Sequence, residues 1–550
     1  MKKFNRYFYT TLMAVATLSA CSIDRTPESS LSDSEFWNTE TDLQTAANRL
    51  YQQLDAFWID NRADDALNQT PNTTSNGAWN VPGTSGDWSD RYDEIFTANN
   101  ILEKGTKAAV TDAVRNRYFG EARFFRAYAY LLLVQRYGDV PLVLKTLDYN
   151  SPELFMGRTP RNDVMTAIYE DLDFAAQWLP TRAALPAAQY GRVTKSSAWA
   201  LKARAGLFAG TWAKFHNDGD PQPHLQVAVA AAEQVLTQGH TLYANYGNLF
   251  VQAGEGAANT ENILVKIFGV SNSNLILGHN NSRDLENGRM APSRNLLRQY
   301  LYTDGLPAYN TDNTPSATKS PLFVPENAEP SYNTIFENRD PRLRFTVFLA
   351  GETAYKGPWV PTTTLGSRTA YAGKKGFNVD DWTLNGAATV DRILIRFGEV
   401  LITLAEALYE RDGSISDADL ERTVNALRKR AGLNVKLTNA FATANNLSIR
   451  EEIRRERTVE LAMEGFRYTD IIRWKTAETV LPQNLLGAKF VAADWPGTNA
   501  NSLNLNADGV VIAETAATRT FRANRDYLYP VPVNEINLSN GNVTQNPNWQ

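Results

Sequence analysis

The chain has one cysteine in 550 residues, Cys21, at the end of Leu18-Ser19-Ala20-Cys21. Lys2, Lys3 and Arg6 stand near the start, and Tyr7 to Ala20 carry no charge, the basic region and short apolar core of a secretory leader. That core is too short to cross a bilayer. The tetrapeptide resembles a bacterial lipobox, whose cysteine is diacylated and becomes the first residue of the mature chain, so the chemistry offered by Cys21 is lipid attachment. The competing reading is a free thiol inside a discarded leader. A lone cysteine allows no internal disulfide in either case. Among the four histidines, His216 and His224 flank Asn-Asp-Gly-Asp-Pro-Gln-Pro, a turn that either holds a structural calcium or is a plain exposed loop. No nucleophile elbow, zinc helix, phosphate loop or dinucleotide fingerprint is present. With 60 carboxylates a glycosidase pair is invisible to sequence, because its defining separation is spatial.

The elements that must position any site are mostly helical. Val114, Tyr118, Ala122, Phe125, Ala129 and Leu132 recur at three and four, giving one apolar stripe that Gly138 and Pro141 end. Further amphipathic runs fall at about 41–57, 88–104, 162–179, 194–213 and 224–238. From about 240 to 390 the chain turns to Asn, Gly, Thr and Pro with scattered aromatics, and "NILVKIFGV" and "LRFTVFLAG" read as strands. Helical periodicity returns with Leu394, Phe397, Leu401, Leu404 and Leu408; Ser416 with Asp419 starts a further helix, and Ala405 and Ala426 allow a close crossing. Such helix pairs resemble tetratricopeptide units without the strict consensus. In "SIREEIRRERTVELAMEGFRYTDIIRW" apolar residues alternate with charge, so Glu456, Arg457, Glu460, Glu464 and Arg467 are expected as buried ion-pair partners.

A net charge of −5 and an isoelectric point near 5.7 argue against nucleic acid, which needs a clustered basic surface. Twelve Trp, 23 Tyr and 24 Phe supply flat apolar surface, whereas four His and one Cys supply little for a transition metal.

Four runs, "GEARFFRAYAYLLLVQRYGDVPLV", "GRVTKSSAWALKARAGLFAG", "RRERTVELAMEGFRYTDIIRW" and "RDYLYPVPVNEINLSNGNVTQNPNW", resemble the SusD/RagB lipoproteins of Bacteroidetes in the family's order and over nearly the whole chain. The resemblance implies a mainly α fold: four tetratricopeptide-like helix pairs forming a right-handed scaffold, with a loop-rich irregular insert. The boundaries are then a lipoprotein signal peptide over 1–20, a lipidated tether over 21–34, and one domain over 35–550. Within that domain the helical scaffold covers about 35–240 and 390–480, the insert about 240–390, and a C-terminal segment 481–550. It further implies a non-enzymatic glycan-binding protein, lipid-anchored at the outer membrane and facing the cell surface, that hands its ligand to a SusC-like TonB-dependent transporter without any cofactor. The chain departs from the pattern at "NPNW", where a glycine usually follows the proline, and after Cys21, where only Asp24 and Glu28 supply the acidic surface-export signal. A surface glycoside hydrolase and a peptide- or protein-binding repeat scaffold remain as alternatives.

Sugar rings present apolar C–H faces between hydroxyls, so a site needs aromatic rings and planar polar side chains. The loop between the first helices holds Trp58, Arg62, Asp64, Asp65, Asn76 and Trp79. By resemblance, this first long loop carries ligand contacts, with Asp65 near the family's "sD" element and Trp79 placed to stack; Asp64 and Asp65 are the expected hydroxyl acceptors. Trp88, spaced with Tyr92 and Ile95, reads as core. In the insert, Tyr332, Trp359, Tyr371 and Trp382 either line a sugar site or pin their loops to the scaffold. Replacing Cys21 by Ala is expected to leave a folded domain that no longer incorporates labelled palmitate; persistent labelling would contradict lipid attachment.

Overall fold

The computed structural model describes residues 36–52, 54, 60–269, 278–363 and 367–549. Cys21, Trp58 and the 1–34 leader and tether lie outside them. Helices α1 (Glu40–Gln52), α2 (Gly86–Lys104), α3 (Asp112–Tyr137), α4 (Arg161–Trp178), α5 (Lys195–His216) and α6 (Gln222–Leu236) follow one another, and α2 to α6 each pack against the next. Helix α3 starts where the Thr111 side chain accepts from the Val114 N–H, and stops at Gly138, φ 75°. Its stripe faces the core as the periodicity requires, with Tyr118, Ala122, Phe125 and Ala129 buried. The "GLFAG" run lets α5 and α6 touch backbone to backbone: a Cβ on Gly206 would lie 2.8 Å from the Ala228 nitrogen, and one on Gly210 2.6 Å from Leu225 Cγ. Trp88 is in the core.

After the insert the scaffold resumes as α7 (Phe397–Asp412), α8 (Asp417–Arg422), α9 (Val424–Ala431), α10 (Ile449–Glu460) and α11 (Arg467–Arg473), with α7 packed on both α6 and α10. Three antiparallel pairs tie distant segments together. Strand β1 (Ala66–Leu67) joins the first long loop to β3 (Ala291–Pro292), β2 (Asn262–Lys266) pairs with β4 (Arg392–Arg396), and β5 (Leu485–Lys489) with β6 (Val510–Glu514). The β2–β4 register, Asn262 opposite Arg396 and Lys266 opposite Arg392, closes the base of the insert.

Three expectations need correction. "LRFTVFLAG" is no strand: Arg342–Thr346 is helical and only Val347 bridges, to Gly373, because Pro341 fits a helix start and Arg342 turns inward to a charge network. Leu394 belongs to β4 rather than to the following helix, since pairing with β2 holds Arg392–Arg396 extended. The charged run divides between α10 and α11 at Met463 and Gly465, both with positive φ.

One apolar core lies within the scaffold and a second, rich in Tyr and Trp, within the insert. Between them runs a buried charge network. Glu460 accepts from Arg396 at 2.6 Å, from Arg342 at 2.8 Å and from Arg430. Glu456 accepts from Arg342 at 2.6 Å and Arg428 at 3.0 Å, and Glu464 from Arg396 at 2.7 and 2.8 Å and from Lys375 at 2.6 Å. Arg457 grips Asp470 at 2.9 Å, and Arg467 grips Asp64 at 2.7 Å. All five charged residues singled out in the sequence are therefore ion-pair partners, each below a tenth exposed.

Burial alone would raise the Glu406 carboxyl, but Arg473 and Arg457 outweigh it and hold the group near 2 instead of 4.5; Glu460 is likewise depressed by its arginines. Carboxylates depressed on folding stabilise above their unfolded pKa, and that contribution disappears as pH falls through the folded value. The melting temperature is therefore expected to fall steeply as pH drops from about 5 toward about 2. Glu460→Ala leaves three guanidiniums facing a void and is expected to cost about 3–5 kcal/mol in urea unfolding.

Candidate functional site: a polar cavity between scaffold and insert

A cavity of about 720 Å³ opens where the two parts meet, within the size range of ligand sites. Helix α3 contributes Tyr128, Leu132, Gln135 and Arg136 from successive turns of one face, and α5 contributes Arg204, Leu207 and Phe208. The Glu464–Arg473 segment forms one wall, with Phe466 and Tyr468; Asp60, Asn61, Arg62 and Asn72 come from the first long loop, and Asn280, Asn281 and Asp284 from the insert.

The planar polar groups are fixed before any ligand arrives. Arg62 donates to both Asp60 oxygens at 2.8 Å and to the Tyr529 hydroxyl at 3.1 Å, with its guanidinium 4.6 Å from the centre of the Tyr468 ring. Burial alone would raise the Asp60 carboxyl, but the Arg62 charge holds it below the ordinary range. Asn72 Nδ2 donates to Asn61 Oδ1 at 2.6 Å. Arg204 lies 5.1 Å from the Phe466 ring centre and grips Glu399 at 2.6 and 2.7 Å. Glu464 is depressed by Arg396 and Lys375, against the effect of burial. Burial lifts Asp284 despite Arg289 at 3.2 Å, and burial lowers the neighbouring His279. With Asp60 and Glu464 held ionised, neither serves as a proton donor at neutral pH. The wall offers hydrogen bonds and apolar faces.

The site residues expected from sequence fall in three places. Asp64 and Asp65 belong to the right loop but sit behind the wall. Both Asp64 oxygens are occupied, by Arg467 at 2.7 and 3.1 Å and by Asn313 at 3.0 Å, so the residue joins loop to scaffold and does not face a ligand. Asp65 is buried too, and burial, with Asp64 and Asp60 nearby, pushes its carboxyl up to about 8. Their loop neighbours Asp60, Asn61 and Arg62 reach the cavity instead.

Trp79 is half-buried against the C-terminal segment. Its ring centre lies 4.4 Å from Tyr529 and 5.3 Å from Trp549, the tryptophan of "NPNW", and its Nε1 donates to Thr74 O at 3.1 Å. Tyr332, Trp359 and Tyr371 form the interior of the insert: Trp359 Nε1 donates to the Tyr332 hydroxyl at 3.2 Å, the Tyr332 and Tyr371 rings are 5.5 Å apart, and Arg294 donates to the Tyr371 hydroxyl at 3.1 Å. Trp382 is partly exposed, but Arg283 covers its ring at 3.8 Å and its Nε1 donates to Glu286 at 2.8 Å. These four aromatics thus gather around one cluster, as loop pins. Trp359 also lines a second groove, of about 380 Å³, with Tyr355, Pro358 and Glu286.

The turn between His216 and His224 is occupied as well. Asp218 pairs with Arg161 at 2.6 Å, and His216 stacks on Trp212 at 3.8 Å. No group of three or more His, Cys, Asp or Glu placed to hold a metal occurs among the described residues, and no helix among them is long and apolar enough to cross a membrane. Sequence reasoning missed Tyr128, Gln135, Arg204, Phe466 and Tyr468 because each lies in a helical run and reads as packing; Arg62 was the one lining residue within the loop singled out.

The chain belongs to the SusD family, whose profile matches residues 269–549; residues 12–207 match a second family of the same group, described as starch-binding and associating with the outer membrane. A SusD-like protein of Formosa agariphila, P2, is 25% identical over 99% of this chain and 100% of its own length. A SusD-like protein of Bacteroides ovatus is 24% identical over 91% of this chain and 86% of its own. The fold matches a SusD-like carbohydrate-binding protein of Bacteroides fragilis with a TM-score of 0.71 at 24% identity, covering 92% of this chain and 99% of that one. A laminarin-binding SusD-like protein matches with a TM-score of 0.59 at 21% identity, over 93% and 100%. The mainly helical, tetratricopeptide-like scaffold with an irregular insert is the fold of this family.

Trp79→Ala is expected to lower stability by about 1–3 kcal/mol, less than a fully buried aromatic because the ring is half-buried, since it locks the first loop to the C-terminal segment. Unchanged melting would return Trp79 to the ligand side.

Proposed function

We propose that this protein binds oligosaccharides in the cavity between scaffold and insert and delivers them to a SusC-like TonB-dependent transporter, while Cys21 carries the lipid that holds it at the outer face of the outer membrane. The observation that carries the reading is the pre-fixed wall: planar donors from Arg62, Arg204 and Asn72 beside Phe466 and Tyr468 in an enclosure of about 720 Å³. Sugars need bidentate polar partners and an apolar face together. The carbohydrate binding named for the Bacteroides fragilis neighbour and the laminarin binding named for another support the ligand class. Affinity for a single chain should be modest, because bound hydroxyls give up water and each immobilised side chain costs roughly 0.5–1.5 kcal/mol; modest affinity suits handover.

Isothermal titration against plant, microbial and host glycans, with reducing ends assayed in the same samples, is expected to give saturable binding and no new reducing ends. Arg62→Ala is expected to weaken every bound glycan at least about tenfold, a charged hydrogen bond contributing about 1.5–3 kcal/mol. New reducing ends would make the protein a hydrolase, and undiminished binding by Arg62→Ala would move the site away from this cavity.

A further inference from the structure

We propose that the cavity selects glycans bearing an acidic substituent, a uronic carboxylate or a sulfate ester, and that Arg204 reads it. This rests on the glycan-binding reading above. In a chain of net charge −5, six arginines line the cavity beside four carboxylates; Glu399 and Glu406, which pair with Arg204 and Arg473, are not among the lining residues, so guanidinium edges face the cavity while their carboxylate partners lie behind them.

The wall's acceptors are largely occupied. Both Asp60 oxygens bind Arg62, both Glu464 oxygens bind Arg396, and both Asp470 oxygens bind Arg457. Each is a side chain at most 13% exposed. Asp284, the fourth, is lifted by burial and gives up its charge more readily than an ordinary aspartate.

Donors remain. Arg204 is held in one plane by Glu399 through Nε and Nη2 and by Leu394 O through Nη2 at 2.9 Å. Its Nη1 makes no hydrogen bond among the described residues, and 15% of its side chain stays accessible where it lines the cavity. Arg62, held in the same way by Asp60, keeps 22%. A sugar hydroxyl could accept from either group, but it brings its own donor, and three of the four wall carboxylates already bind arginines through both oxygens. A carboxylate or sulfate is acceptor-only, matches guanidinium geometry, and meets the arginines where water screens little.

The test uses the mature lipidated chain in detergent and matched glycan pairs: tetragalacturonate with its carboxyl-reduced form, and a carrageenan tetrasaccharide with its desulfated form, alongside neutral laminarin, starch and xylan oligosaccharides. At low salt the acidic member of at least one pair should bind about tenfold tighter or more than its neutral partner, from one added charged hydrogen bond. The ratio should shrink at high salt, and the responding pair distinguishes carboxylate from sulfate. Arg204→Gln, checked for folding by its melting temperature, should bring the two members within about threefold, because that charged bond is lost. Neutral members binding as well as acidic ones, or a preference that survives in folded Arg204→Gln, overturns the inference while leaving glycan binding intact. Because the matched pairs compare ligands on the unaltered protein, this holds even if the variant does not fold. Binding of no glycan in the panel overturns both readings.

Discussion

Glu460 has three guanidiniums around one carboxylate with no exposed surface, and the rest of the structure depends on that arrangement. Its partners come from different parts of the chain: Arg342 from the insert, Arg396 from the strand that closes it, and Arg430 from the scaffold helix Val424–Ala431. Hydrophobic contact between the scaffold and insert cores would tolerate sliding, since apolar attraction has no direction. A carboxylate shared by three planar donors does not, because moving any one segment strands a buried charge. The net contribution of such a network to stability is small, but breaking it costs several kcal/mol. It therefore fixes where the insert sits more than how tightly it is held.

The cavity is a consequence of that placement. Arg396 joins Glu460 to Glu464, and the chain that follows Glu464 turns through Gly465 to present Phe466 and Tyr468 to the cavity. Across it, the strand ending in Arg396 supplies the Leu394 carbonyl that helps hold Arg204. Both walls are thus referred to the same few charges, and the long helices behind them provide the rigid backing that loops alone would lack.

Much of this architecture was legible in the sequence, because helical periodicity reports burial directly. The charged run 449–474 was legible for another reason: apolar residues interleaved with Arg and Glu cannot reach a core without pairing. What failed were inferences needing a partner distant in sequence. Leu394 continues a helical stripe on paper but lies in a strand whose partner is about 130 residues earlier, where Leu264 stands opposite its neighbour Ile395. Asp64 has the right residue type in the right loop for a hydroxyl acceptor, and only the fold shows that Arg467, some 400 residues away, occupies it.

The aromatic residues carry the sharper lesson. Tyr332, Trp359 and Tyr371 looked available because they sit among Gly, Pro and Thr, yet a long insert with little regular structure has few backbone ladders to hold it. Large rings with a polar handle supply that cohesion: the Trp359–Tyr332 hydrogen bond and the Arg294 contact to Tyr371 tie three loops at once. At the cavity the rings have a different role. The Tyr468 and Phe466 faces are overlaid by Arg62 and Arg204, so a ligand entering there meets guanidinium planes stacked on rings. The stacking immobilises the guanidiniums, as their carboxylate partners also do, and leaves their remaining N–H edges aimed by the protein. Ring and guanidinium therefore form this wall as paired units, each arginine held between an aromatic face and a carboxylate.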